Sequence, residues 1–198
     1  MNIEMKKRNL LLSIIMLFPI IGFGQTFLDS IMATREYYID GNIKTIGKKN
    51  ASGDYIGEWK FYDESGKLKS KSFFENGKLS GKTTRFHTDG KVSSISYFLN
   101  GDTTGQWESY NENGQLKRAG SYLPKYKKTG EWKSYDEKGL VTKIEYYSTG
   151  ELTKMIGNRY YPNKLLKQKS IVELINGKVV SKKTEVYDEQ GKAIEIEN

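Results

Sequence analysis

Short stretches of alternating apolar and polar residues are separated along this chain by glycine-centred turns, and the alternation repeats. Gly57-Glu58-Trp59-Lys60-Phe61-Tyr62-Asp63-Glu64-Ser65-Gly66-Lys67-Leu68 reads as an aromatic strand, a turn closed by glycine and the start of a second strand. The pattern returns from Gly105 to Leu116 and from Gly130 to Val141, and more loosely from Gly81 to Val92, where Thr83 takes the Trp place and Phe86 the Tyr place. The leading glycines at 57, 81, 105 and 130 fix a period of 24 to 25 residues, the signature of a repeat architecture. A second turn follows each first-turn glycine by 11 residues, at Asn76-Gly77, Asn100-Gly101 and Thr149-Gly150. Asn-Gly between alternating segments specifies a tight hairpin, because both central residues need a positive φ.

Period-2 counting assigns faces. Leu68, Val92, Leu116 and Val141 lie an even number of residues before Phe74, Phe98, Tyr122 and Tyr147, so each pair shares one side of a regular strand. Lys71, Ile95, Ala119 and Ile144 share the other side with Phe73, Tyr97, Ser121 and Tyr146, which predicts one packed and one more solvated face. Trp59 and Tyr62 are three apart, on opposite faces unless a bulge intervenes, and Gly57 permits such a bulge. Three segments depart from the rule. Pro124 predicts a wider, basic loop over Pro124–Lys128 in place of a tight turn. The stretch Gly157 to Leu165 reads as a repeat with a shortened first turn at Pro162-Asn163 and Arg159 in the Trp place, and Thr184 to Ala193 as a final half-repeat. The expected fold is all-β: an elongated antiparallel meander of tandem ~24-residue hairpins in about seven units over residues 36–198, with strands of five to seven residues.

The N-terminus has a different pattern. Lys6-Lys7-Arg8 precedes the apolar run Leu10–Ile21, and Gly22-Phe23-Gly24 places small residues ahead of Gln25. This is the pattern of a secretory signal peptide over residues 1–24, and the apolar run is short for a spanning helix, the alternative being an uncleaved anchor. Residues 25–35 then form a lead-in that caps the first repeat, and the expected location is periplasmic or extracellular. Without residues 1–24 the formal charge of +8 falls to +6, spread among both signs, which does not suggest nucleic-acid binding. There is no cysteine, so thiolate metal sites, disulfides and a cysteine nucleophile are excluded.

Candidate chemistry is sparse. His87 is the sole histidine and reads as an exposed turn residue. Asp63-Glu64, Glu112 and Asp136-Glu137 recur at equivalent turn positions, where acidic residues are good turn formers and a Ca²⁺-collecting edge is the alternative. Every glycine is assigned to turn geometry, leaving no phosphate-binding loop and no expected cofactor or metal. The remaining ligand-binding candidates are the aromatic stripe Trp59, Trp107 and Trp132 with Tyr62, Tyr110 and Tyr135, read either as a repeat-to-repeat ladder or as a surface that stacks sugars or grips a peptide.

The unit Gly-Glu-Trp-Lys-x-Tyr-x-x-x-Gly-x-Leu followed by Asn-Gly resembles the MORN repeat, and more closely its bacterial tandem variant, whose proteins often carry an antitoxin-like label. The resemblance covers residues 57–152 well and 36–56 and 157–194 loosely. It implies an antiparallel sheet of successive hairpins, roles in scaffolding, protein contact or phospholipid association, and no common catalytic residues. Three readings follow: an exported non-enzymatic binding scaffold for a protein or cell-envelope partner, a peripheral binder of anionic membrane or glycan, and an exported antitoxin or immunity protein.

Overall fold

The computed structural model describes residues 33–195, so the expected signal peptide, most of the lead-in and the last three residues lie outside the described residues. Fourteen strands form one antiparallel sheet in strict sequence order. They are β1 (Thr34–Tyr37), β2 (Ile43–Lys49), β3 (Tyr55–Tyr62), β4 (Leu68–Glu75), β5 (Lys78–Phe86), β6 (Val92–Leu99) and β7 (Asp102–Tyr110). There follow β8 (Leu116–Leu123), β9 (Lys127–Tyr135), β10 (Val141–Ser148), β11 (Glu151–Tyr160), β12 (Leu166–Ile175), β13 (Lys178–Tyr187) and β14 (Ala193–Ile194). The hairpin meander expected from the glycine period is therefore present, as seven two-strand units.

The two turn classes differ physically. In each first turn the backbone closes in the same way: Asp63 N donates to Lys67 O at 2.8 Å and Gly66 N to Asp63 O at 3.0 Å, and the pattern repeats through Gly191. Asn76-Gly77 and Asn100-Gly101 hold both residues at positive φ, as a two-residue primed turn requires. The interior strands from β3 to β13 run to eight to ten residues, longer than expected, and in β3, β5, β7 and β9 the leading glycine lies inside the strand and not before it. Gly57, Gly81, Gly105 and Gly130 have φ between +63° and +88°, and a register shift falls beside each. These bulges let one strand absorb extra residues without losing its pairing on the far side.

Two of the expected exceptions are corrected. Pro124–Tyr126 is a compact three-residue turn, with Leu123 paired to Lys127 and both Lys125 and Tyr126 at positive φ. It is one residue wider than the Asn-Gly turns but is not an open loop. The turn at Pro162-Asn163 is not shortened: Lys164, at φ +68°, occupies the glycine position, with Tyr161 N donating to Leu165 O and Lys164 N to Tyr161 O. Counting back from Lys164 puts Tyr160 in the Tyr place and Gly157 in the Trp place, so Gly157 is not a leading glycine and Arg159 is not the Trp substitute.

A second bulge recurs beside each Tyr. Phe61 pairs with Ser70 but Tyr62 with Leu68, so the extra residue, Lys69, lies on the partner strand. The strand carrying Trp59 keeps its alternation, and Tyr62 stays on the face opposite Trp59. One face of the sheet is packed, with Trp59, Phe98 and Trp132 buried. The other carries exposed Phe73 and Tyr97 and a mosaic of ion pairs such as Lys133–Glu131 at 2.6 Å. The expected asymmetry of faces is present.

Candidate functional site

On the packed face one row of side chains crosses the sheet at mid-strand. Successive cross-strand partners are Trp59, Ser72, Thr83, Ser96, Trp107 and Gly120, and Trp132 pairs in turn with Glu145. Two of these tryptophans lie flat on glycines of the preceding strand. A Cβ built on Gly47 would fall 2.1 Å from the Trp59 ring, and one on Gly120 would fall 2.1 Å from the Trp132 ring. Neither glycine has a positive φ. They are glycines because an indole occupies the space of a side chain, which corrects the assignment of every glycine to turns. Each ring then closes its edge by a hydrogen bond from Nε1, Trp59 to Lys48 O at 3.0 Å and Trp132 to Ser121 O at 3.1 Å. The relative exposures are 0% and 1%, so neither indole presents a free face.

The covers of the two rings differ. Tyr55 stacks on Trp59 at 3.5 Å between centroids and 10° between planes, and Phe74 meets Tyr55 edge-on at 5.4 Å. Trp132 is covered instead by cations: Lys128 Nζ lies 4.9 Å and Arg118 Cζ 5.1 Å from its ring, while Tyr122 approaches edge-on at 4.8 Å. Buried Glu145 accepts from Arg118 Nη2 at 2.6 Å and pairs with Lys143 at 3.2 Å. Burial raises the Glu145 carboxyl, but the hydrogen bond from Lys143 and the charges of Lys143, Arg118 and Lys128 outweigh it and hold it below 4.5. Burial, aided by the Arg118 charge, lowers the Lys128 ammonium. Three cations thus surround one carboxylate, and Arg118 Nε is buried with no hydrogen-bond partner.

The six candidate stripe residues do not form one surface. Trp59, Trp107 and Trp132 share the packed face, and only Trp107 and Trp132 touch, at 5.4 Å. Thr83, buried and bonded to Ser72 Oγ at 3.1 Å, interrupts the ladder. Trp107 is half-buried because it pairs across Ser96, whose side chain occupies the seat that a glycine leaves free. The tyrosines lie on the other face. Tyr110 donates to Glu108 Oε2 at 2.6 Å, a bond that, with burial, pushes its phenol up to about 12. Tyr135 borders a cleft of about 280 Å³ with Glu131 and Lys133, and Tyr62 follows the same alternation.

His87 is not a free turn residue. Its Nε2 donates to Tyr110 O at 3.0 Å, the same contact that Tyr38 OH makes to Tyr62 O and Tyr161 OH to Tyr187 O. A second bond ties each of these turn pairs: Asn42 to Glu64 O, Lys91 to Glu112 O and Asn163 to Glu189 O. His87 is thus one of three aromatic staples between first turns. The turn carboxylates close their own turns, Asp63 accepting from Ser65 Oγ and Lys67 N and Asp136 from Leu140 N. Among the described residues no group of three or more His, Asp or Glu converges in a way that would hold a metal ion. Sequence reasoning missed Arg118, Lys143 and Glu145, and noted Lys128 only as part of a basic loop. The available signal was charge at positions where the other regular repeats carry Ser or Gly, or, for Lys128, Tyr, Leu or Thr.

The family model described as MORN repeat variant matches residues 55–76 and 103–123, which are the β3–β4 and β7–β8 hairpins. These two segments are MORN-variant repeats, in agreement with the resemblance read from the Gly-Glu-Trp-Lys-x-Tyr unit. No curated protein matches the chain. A similar solved structure is that of an S. aureus TarM mutant in complex with Fondaparinux, alpha-GlcNAc-glycerol and UDP. It shows 14% identity and a TM-score of 0.17, covering 73% of this chain and 23% of that one. So slight a likeness bears on neither fold nor function.

Proposed function

We propose that this protein is a non-enzymatic repeat module that binds a protein or cell-envelope component through the packed face of its sheet. The observation that supports this reading is a single-layer sheet whose ring-bearing face, with half-buried Trp107 between buried Trp59 and Trp132, has no second layer on it among the described residues. A sheet normally buries its apolar face against another element, and a partner would supply that layer. The pattern of residues 1–24 supports export, so the encounter would take place in the periplasm or outside the cell. The test is capture from envelope extract by the wild-type chain and by Trp107→Ala, with circular dichroism confirming that both are folded. Partner loss with fold retained supports the reading. Turnover of a glycan or peptide, abolished by changing one carboxylate, overturns it.

The cationic cover of Trp132 supports a second reading, peripheral binding to an anionic membrane or glycan. Sedimentation with anionic vesicles or sulfated polysaccharide should then fall with salt and with Lys128→Glu. An antitoxin or immunity role rests on the resemblance alone, and rescue of cells from a neighbouring toxin gene would test it.

A further inference from the structure

After Glu145 the mid-strand row runs on through Met155, Val172 and Lys182, and beside it Gly157 pairs with Lys143. Three neighbouring strands, β11, β12 and β13, contribute Gly157, Ser170 and Thr184 in register, and none brings a ring. Gly157 is the third strand glycine without a positive φ, after Gly47 and Gly120. Those two lie under indoles, whereas a Cβ on Gly157 would meet nothing within 4 Å. Gly157 stands in the Trp place of its repeat, so the space that a ring fills at Trp59 and Trp132 is left open here by the described residues.

The walls of this trough indicate what it would hold. Met155 and Val172 pair across one side, and Arg159 and Gln168 across the other. A thioether beside a ring and a guanidinium stacked on its face are both favourable contacts. Arg159 and Lys182 have no ion-pair partner among the described residues. Arg159 and Gln168 also line a cleft of about 570 Å³ that holds Lys138 and Lys167 against the single carboxylate of Asp136. Thr184 and Lys182 line another, of about 580 Å³. The second cleft also holds Glu185, but its carboxylate is taken by Lys183 and Lys169, so each cleft keeps a cation without an ion-pair partner among the described residues.

We infer that the trough over Gly157, Ser170 and Thr184 receives an aromatic side chain from an acidic segment of a partner protein, which takes the place that Trp59, Trp107 and Trp132 fill in their own repeats. The inference rests on the binding-module reading and names the partner's chemistry. The ring seats on Gly157 between Met155 and Arg159, and the flanking carboxylates of the partner meet Arg159 and Lys182.

The test uses the full chain and a random peptide library displayed on phage. Enriched sequences should carry Trp, Tyr or Phe flanked by Asp or Glu. A dye-labelled peptide of that kind should lose at least tenfold in affinity when its ring is replaced by Ala, and again with Gly157→Leu or Arg159→Glu. Gly157 has ordinary φ and open space above it, so the Leu variant folds and its effect reports the seat. Enrichment of sequences without an aromatic residue, no enrichment at all, or binding unchanged in Gly157→Leu would each overturn the inference. The broader reading stays separately decidable: an envelope partner captured equally by wild type and Gly157→Leu keeps the binding module and removes the trough.

Discussion

Trp59 and Trp132 occupy the same place in their repeats, lie on the same kind of glycine and make the same backbone hydrogen bond, yet one is covered by a tyrosine and the other by two cations. The covers sit at equivalent positions, Tyr55 and Lys128 each lying two residues before the leading glycine. What is common to the two units is therefore what seats the ring. What differs is the chemistry presented above it: neutral and stacked at Trp59, electropositive and tied to a buried carboxylate at Trp132. A repeat can hold its fold constant through the glycine–indole pair while its cover varies, and variation in the cover is where a repeat acquires individual character.

The sharpest way to break the comparison is at the shared element. Gly47→Ala and Gly120→Ala each put a methyl where a ring carbon now lies and should each cost about 3 kcal/mol, comparable to opening a core site. Urea unfolding with tryptophan emission reads both the loss and the red shift of the released indole. A harmless Gly47→Ala would show that the close seating does not hold the ring.

Glu145 separates the two units next. Its carboxyl is held below 4.5 in the folded state, so its contribution is complete above that pH and is lost as pH falls through the lowered folded value. Stability followed by Trp132 emission should drop in that acid window, and Glu145→Gln should flatten the drop while costing about 1–2 kcal/mol at neutral pH. That estimate is discounted from the cost of a fully buried pair because Arg118 and Lys143 are 30% and 40% exposed. The exposed Glu36–Lys49 pair beside Tyr55 should contribute little, leaving Trp59 emission nearly flat.

The rule extends to a repeat that lacks a tryptophan. Thr83→Trp alone would meet the Ser72 side chain and should destabilise by about 1–2 kcal/mol. Adding Ser72→Gly should recover most of that loss, and failure of the double variant to recover would mean that the glycine–indole pair is not transferable. The smallest effects belong to the covers. Tyr55→Leu and Lys128→Met should each cost about 0.5–1 kcal/mol, with only the Lys128 effect shrinking in high salt.

The hairpins were legible because their information is local. Gly66 and Asn76-Gly77 declare their turns within four residues, and the period carries the declaration down the chain. Lys164 hid a regular turn because a non-glycine residue there adopts a positive φ, and Gly157 misled because the same residue type serves both strain and close approach. The seat beneath Trp59 was not legible. Gly47 is 12 residues upstream in another strand, and its meaning depends on a bulge that brings the ring over it. The cluster around Glu145 was missed for a related reason: Arg118, Lys128 and Lys143 come from three strands, and only the pairing shows that they share one carboxylate.

The strand order from β1 to β14 has a further consequence, for how the molecule is made. Each strand pairs only with its sequence neighbours, so no distant segment must be found before a contact forms. Folding of such a chain is governed by short loop closures and can grow by addition at one end. Gly47 and Gly120 both precede the tryptophan that settles on them, so each indole meets a strand already laid down. A polypeptide emerging N-terminus first can thus finish one hairpin, seal it with its own ring, and offer the next strand a completed edge.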